Sequence, residues 1–410
     1  MKVVKGLLLM LCVGVSWIAH AQSDLSHYCR LDTIFNLGQE MAFTEEIRSS
    51  QWGNEVVFAF SNQRRADSVC CYIVDMEAEK LDSVKLKVRD IAADMVSDMR
   101  YGITDLAYNE RFLVLCLYDR IVLYTHGKCI DAEPDKTVFL YSPAEGETTP
   151  YHYDHAQFID DSIILLTVAY NSVTPPCEAH LLNVLSGKAE HYVLPDYKGL
   201  LLTYFRPFTY VDVYGGQLVW TDRDHYSFTV YDTAFRVVDR VNHRMRGWKG
   251  LPRRFVREVN KDYHINDAGL IIERVIPYHK KVDMISQINW IDTNAIIVDY
   301  GSRSGRSRIG LAPIYDVWRR SEDGWHIDKP HLRRPRWEPN SQQVITKHNY
   351  FPFSGTDKMY YTPHKFVVIM PQWDVGNPLG MTRAEYQKAY KDSLAERNPT
   401  LQVLVYSHNL

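Results

Sequence analysis

A strand-rich unit recurs along this chain about every fifty residues. In each copy an apolar run follows a tight polar turn. The turns lie at Asn54-Glu55, Asn109-Glu110, Asp160-Asp161, Gly215-Gly216 and Thr293-Asn294, spaced by 55, 51, 55 and 78 residues. Repetition on that scale marks an array. Where every unit is strand, it marks a β-propeller, whose small sheets stand radially round an axis.

Each unit reads as strand, turn, strand, loop, strand. In the first, Glu55–Phe60, Ser68–Val74 and Ser83–Val88 are the strands; in the second, Phe112–Leu117, Arg120–Tyr124 and Thr137–Tyr141. The third has Ser162–Val168, Ala179–Val184 and His191–Leu194, and the fourth Gln217–Trp220, Ser227–Tyr231 and Phe235–Val238. Continuous apolar runs fit strands buried on both faces between blades, and alternating runs fit outer strands. The fifth unit holds Ala268–Ile272, Ile288–Ile291 and Ala295–Val298, and its longer spacing implies an insertion or an extra strand pair. A sixth is looser: Met359–Tyr361, Phe366–Ile369 and Gln402–Tyr406. The expected fold is all-β, a six-bladed β-propeller, or seven-bladed if the long fifth unit conceals another blade. A capping box at Thr382 and Glu385 opens a stretch, Arg383–Ala395, free of Gly and Pro, which predicts a short C-terminal helical insertion. The lone strand Leu31–Leu37 precedes the first unit. Pairing it with Leu401–Tyr406 would close the ring and remove its open edges.

Residues 1–21 read as a signal peptide: Lys2 and Lys5, an apolar stretch Gly6–Ile18, then Ala19-His20-Ala21 as a small-x-small cleavage site. That stretch is short for a bilayer, which takes roughly 20 residues. The expectation is an exported chain, periplasmic or extracellular, with residues 22–410 forming one propeller domain and no transmembrane anchor after cleavage. Mean hydropathy of −0.29 and 12% aromatic residues fit a globular β chain rather than disorder. Residues 240–340 hold 20 Lys and Arg against 12 Asp and Glu, a net +8, while the whole chain is −3. That asymmetry would draw an anionic partner; export excludes nucleic acid. The cysteines after the signal are Cys29, Cys70, Cys71, Cys116, Cys129 and Cys177, which an oxidising compartment would let pair in ways the sequence does not select. Neighbours on a strand, Cys70 and Cys71 face opposite ways.

Leu218-Val-Trp-Thr-Asp222, followed by Ser227–Asp232, is similar to the Tyr-Trp-Thr-Asp repeat of LDL-receptor-type propellers, with Val219 in place of Tyr. Ser321-Glu-Asp-Gly-Trp325 is a compressed version of the sialidase Asp-box, and no Gly-His…Trp-Asp pair of the WD40 kind occurs. With its signal peptide and tyrosine-rich units, the chain resembles the six-bladed TolB-like and LDL-receptor-type group and exported propeller proteins of Bacteroidetes-like bacteria. The resemblance implies architecture over most of residues 30–410 and no catalytic residue.

Three clusters could carry chemistry. His152 and Asp154 in Tyr151–His155 would share one strand face near the channel, but two ligands do not close a metal site. Asp222 and Asp224 offer clustered oxygens that would suit calcium, or simply cap a turn. Trp325, Arg333, Arg334, Arg336, Trp337 and Trp373 place aromatic faces and guanidinium groups on long loops, where they could hold sugars or acidic groups. No cofactor is expected, calcium excepted. The reading is a binding or scaffold propeller for a protein or glycan ligand. The alternative is a propeller hydrolase, lactonase-like or glycan-cleaving, with a metal in the central channel.

Overall fold

The computed structural model describes residues 27–40, 47–60, 68–88, 103–117, 120–125, 134–138, 153–168, 177–194, 211–221, 225–250, 283–302, 312–333, 358–372, 388 and 400–410. They form six antiparallel four-stranded sheets. Blade 1 is β2 (Ile47–Trp52), β3 (Glu55–Phe60), β4 (Ser68–Asp75) and β5 (Lys80–Lys87). Blade 2 is β6 (Ile103–Tyr108), β7 (Phe112–Leu117), β8 (Ile121–Thr125) and β9 (Lys136–Val138). Blade 3 is β10 (Tyr153–Phe158), β11 (Ile163–Val168), β12 (Cys177–Asn183) and β13 (Ala189–Leu194). Blade 4 is β14 (Val211–Tyr214), β15 (Gln217–Trp220), β16 (Ser227–Asp232) and β17 (Val237–Asn242). Blade 5 is β18 (Met284–Asp292), β19 (Ala295–Ser302), β20 (Ala312–Ser321) and β21 (Gly324–Arg333). Blade 6 is β22 (Lys358–Tyr361), β23 (Lys365–Gln372) and β24 (Thr400–His408), with β1 (Cys29–Glu40) outermost.

The first strands, β2, β6, β10, β14, β18 and β22, touch one another in that order, and β22 returns to β2. The chain is therefore a six-bladed β-propeller. Its ends meet in blade 6, where β1 runs antiparallel to β24 with Leu31 opposite Tyr406 and Phe35 opposite Val403.

Alternation on the second strand of each blade glues the ring. Side chains one residue apart point to opposite faces. Val56, Phe58 and Phe60 of β3 pack toward blade 6, and Val57 and Ala59 toward blade 2. On β7, Leu113, Leu115 and Leu117 face blade 1, while Phe112, Val114 and Cys116 face blade 3. Strand β19 splits likewise, with Ile296, Val298 and Tyr300 on blade 4 and Ala295 and Ile297 on blade 6. A strand buried on both faces must be apolar throughout, hence the uninterrupted runs.

The recurrent polar turn joins first strand to second. Asn109 Oδ1 accepts the amides of Arg111 (2.9 Å) and Phe112 (2.8 Å), and Asp160 Oδ1 those of Ser162 and Ile163 (both 2.7 Å). Asp292 Oδ1 accepts Asn294 N at 2.6 Å. In blade 4, Gly215 and Gly216 at φ +56° and +73° make the turn by backbone freedom instead. In a meander these turns and those between third and fourth strands share one end of the ring. There they span two to five residues, except the ten between Thr125 and Lys136. At the other end the connections run from three to 41 residues.

In blades 1 to 4 the sequence reading, which began each unit at its turn, had three strands and lacked the innermost, whose polar residues hid it; in blade 5 it had the two inner strands and lacked β20 and β21. The segment 268–272 and the proposed helix Arg383–Ala395 lie outside the described residues, save Lys388, which is helical. Residues 1–21 also lie outside them. No described helix is long and apolar enough to cross a membrane. Cys29, Cys70, Cys71 and Cys116 form no disulfide. Cys71 is buried and Cys70 half-buried on the opposite face, and burial raises the Cys71 thiol pKa.

Candidate functional site

Polar side chains of the inner strands stitch each blade to the next. Tyr108 donates to Glu55 Oε2 at 2.7 Å between blades 1 and 2. Asp105 Oδ2 accepts Ala156 N at 2.8 Å between blades 2 and 3, with His155 Nδ1 3.5 Å away. Gln157 Nε2 donates to Asp212 Oδ1 at 2.8 Å between blades 3 and 4. Asp212 Oδ2 accepts Trp290 N at 2.7 Å between blades 4 and 5. Gln287 Nε2 donates to the Met359 carbonyl at 2.7 Å between blades 5 and 6. The Tyr360 hydroxyl bonds Ser49 at its carbonyl (2.7 Å) and hydroxyl (2.8 Å), joining blade 6 to blade 1.

Asp105, Asp212 and Tyr360 come from alternate blades, and both aspartates act electrostatically on the Tyr360 phenol. Burial pushes the Asp212 carboxyl up to about 6, against hydrogen bonds from Gln157, Trp290 N and Val213 N that favour its charge. Burial also raises the Tyr360 phenol, and the two aspartates add to that. A carboxyl near neutrality can move protons, yet both Asp212 oxygens already hold seam bonds. Among the described residues no three His, Cys, Asp or Glu side chains cluster as metal ligands.

A second polar group lies between blades 4 and 5. Asp316 on β20 is fully buried. Opposite it β21 bulges: Leu332 pairs with Tyr315 and Lys329 with Val317, so Pro330 and His331 together face Asp316. His331 takes φ +55°, a left-handed backbone uncommon outside glycine. That twist brings His331 N to 2.5 Å from Asp316 Oδ1 and its ring Nδ1 to 3.6 Å from the same oxygen. The Tyr300 hydroxyl sits 2.7 Å from His331 Nδ1. Tyr226 donates its hydroxyl to Asp316 Oδ2 and receives Trp318 Nε1 at 3.3 Å. Burial raises the Asp316 carboxyl and both the Tyr226 and Tyr300 phenols. Across the Tyr226 ring stand His243 (5.6 Å), Trp248 (5.3 Å) and Tyr300 (5.3 Å). Residues 243–250 form a strap over this seam. It is pinned by Lys249 N to Asp283 Oδ2 (2.7 Å) and Asp283 N to Lys249 O (2.8 Å).

In blade 3 the buried Tyr153 hydroxyl meets His180 Nδ1 at 2.6 Å, with the His191 ring 5.0 Å from that of His180. Desolvation, helped by His191, pushes the His180 imidazole down to about 4.

His152, Asp222, Asp224, Arg334, Arg336, Trp337 and Trp373 lie outside the described residues. Asp154 falls in β10 at a break in register between Tyr153 and His155, and Arg333 ends β21. Trp325 is not a loop residue. It begins β21, packs on Phe228 (5.7 Å) and Trp290 (6.0 Å), and lies under the Arg320 guanidinium (5.9 Å). Its short turn from β20 made it strand, because Ser321 and Gly324 pair directly. The sequence reading did not select Asp105, Gln157, Asp212, Tyr226, Asp316 or His331. The available signal was a polar residue in the few positions before each turn, and Pro330-His331 interrupting a strand.

No family model matches the chain, and no curated protein matches its sequence. Among solved structures, a protein classed as exported in Bacteroides fragilis NCTC 9343 aligns at 10% identity and TM-score 0.49, over 94% of this chain and 97% of its own. The Pan2 WD40 domain of Neurospora crassa aligns at 7% identity and TM-score 0.43, over 95% and 98%. A streptogramin B lyase aligns at 10% identity and TM-score 0.37, over 93% and 99%. Likeness at this level says nothing of activity, and the propeller assignment rests on the six sheets themselves.

Proposed function

We propose that this is an exported binding propeller recognising an extracytoplasmic ligand, protein or glycan, at the rim that carries the long connections. The supporting observation is the set of inter-blade bonds round the inner wall. Asp105, Gln157, Asp212, Gln287 and Tyr360 are engaged in holding blades together. The ring is then a stiff frame, and long connections on a stiff frame are where recognition residues concentrate. The test is a glycan array together with affinity capture, using the mature chain 22–410. A retained glycan or a stoichiometric protein partner is expected. Finding neither, alongside turnover of a lactone or glycoside, would overturn the reading.

One observation favours the hydrolase reading. Asp212 is a buried inner-strand carboxyl whose pKa is raised to about 6, in the range that suits a general acid or base. Under that reading D212N abolishes turnover, whereas under the binding reading it alters stability alone.

A further inference from the structure

Pro330 and His331 stand on β21 where β20 offers only Asp316, and His331 meets that bulge with a left-handed backbone, φ +55°. Its amide is spent on Asp316 Oδ1, and its ring Nδ1 lies 3.6 Å from the same oxygen. The Asp316 side chain is wholly buried, whereas that of His331 is 47% exposed. A buried acid thus stands behind a solvent-facing imidazole. The hydrogen bonds fix which nitrogen of that ring is protonated. Tyr300 donates its hydroxyl to Asp316. Its oxygen is left to accept, so His331 Nδ1, 2.7 Å away, carries the proton. Nε2 then keeps its lone pair, and among the described residues nothing bonds it. A base oriented by a second group and backed by a buried carboxylate is the arrangement that lets an imidazole take protons in acyl transfer. Bulges re-aim side chains beside active sites, and strained backbone concentrates there. The strap over the same seam presents Arg244, Arg246 and Lys249, exposed and, among the described residues, without a carboxylate partner. Their field favours an anionic substrate.

We propose that His331 is a general base that hydrolyses carboxylic esters bearing an anionic group. Nε2 takes one proton of a water molecule as the water oxygen bonds the ester carbonyl carbon. The bond from that carbon to the alcohol oxygen then breaks, and the departing oxygen takes the proton from Nε2. A carboxylic acid and an alcohol are released. Asp316 and Tyr300 are positioning residues: they hold Nδ1 and offset the positive charge that the ring carries between the two proton transfers. This activity goes beyond the binding reading, which neither gains nor falls with it.

The experiment assays the mature chain with the para-nitrophenyl monoester of succinate, which keeps a free carboxylate, and with neutral para-nitrophenyl acetate. Turnover faster than that of free imidazole at equal concentration is expected, with the higher kcat/KM for the succinate ester. H331N, which tolerates the left-handed backbone, should lose at least about a hundredfold in kcat. H326N, which removes an exposed histidine of the same strand, should keep the parental rate. Tyr300→Phe should lower kcat at least about tenfold at unchanged KM, the mark of a contact that counts only in the transition state. R244E/R246E/K249E should raise KM for the succinate ester at least about tenfold. In the unmutated chain, acylation of His331 by diethyl pyrocarbonate, mapped by peptide mass spectrometry, should track the loss of turnover, and hydroxylamine should restore it. Full turnover by folded H331N, or by a chain carrying acylated His331, would overturn the assignment, as would a parental rate no faster than imidazole. Equal kcat/KM for the two esters would overturn the anionic class.

Discussion

Burial acts in opposite senses on Asp212 and His180, and their pH dependences follow. Asp212 ordinarily titrates at 3.8 and is pushed up to about 6 in the fold. Between those values the folded chain binds the extra proton, so this group's contribution falls as pH rises through the window. His180 goes from 6.5 down to about 4. The unfolded chain binds the extra proton there, so its contribution is complete above about 6.5 and drains away as pH falls toward 4. The two slopes offset each other in the parent. Urea titrations at a series of pH values should show D212N steepening the loss of stability on acidification and H180N flattening it; unchanged slopes would refute both assignments. Asp212→Ala should also cost on the order of 3 kcal/mol. It leaves the buried Trp290 amide, the partly buried Val213 amide and the Gln157 side chain without their acceptor. A shift in urea midpoint at constant slope reads this directly.

At the scale of the strand, β1 is the test. It covers the free edge of β24, and Phe35 and Leu37 pack against the core shared by blades 6 and 1. Beneath it Lys365 Nζ reaches Glu79 at 2.6 Å, and Thr33 bonds the same carboxylate. A chain starting at residue 41 should expose that edge. The expected result is a lower thermal midpoint and concentration-dependent association by size-exclusion chromatography. A monomer of parental stability would show that the strand is dispensable. Second strands such as Phe112–Leu117 were plain in the sequence because burial on two faces leaves no room for a polar residue. The turns were plain because Asn109, Asp160 and Asp292 perform the same local capping each time. The first strands of blades 1 to 4 were not. Ile103-Thr-Asp-Leu-Ala-Tyr108 is wholly buried yet carries Thr104 and Asp105, whose partners lie on residues 12 and 51 positions away. Such a strand has no periodicity to read, because its polar side chains answer to partners on other strands, Thr104 to the next strand of its own blade and Asp105 to blade 3. The Asp316 cluster was hidden for the same reason, Tyr226 lying 90 positions from its carboxylate.

Over the whole molecule, the core is six shared cores. Each apolar cluster draws on both sides of a seam, as with Val219 and Phe228 of blade 4 against Ile288 and Val298 of blade 5. A blade by itself owns half of each, so a chain ending at residue 340 should not settle into a smaller ring. Loss of the near-ultraviolet circular dichroism signal with far-ultraviolet strand signal retained is expected; a cooperatively melting five-blade fragment would contradict the shared-core account. The meeting of the two ends carries a temporal consequence. Glu40 ends β1 and Thr400 opens β24, and ribosomes add roughly 5–20 residues per second. The first strand made must therefore wait on the order of half a minute, edge bare, for the last, so newborn copies spend that interval open to proteases and to each other's unpaired strands.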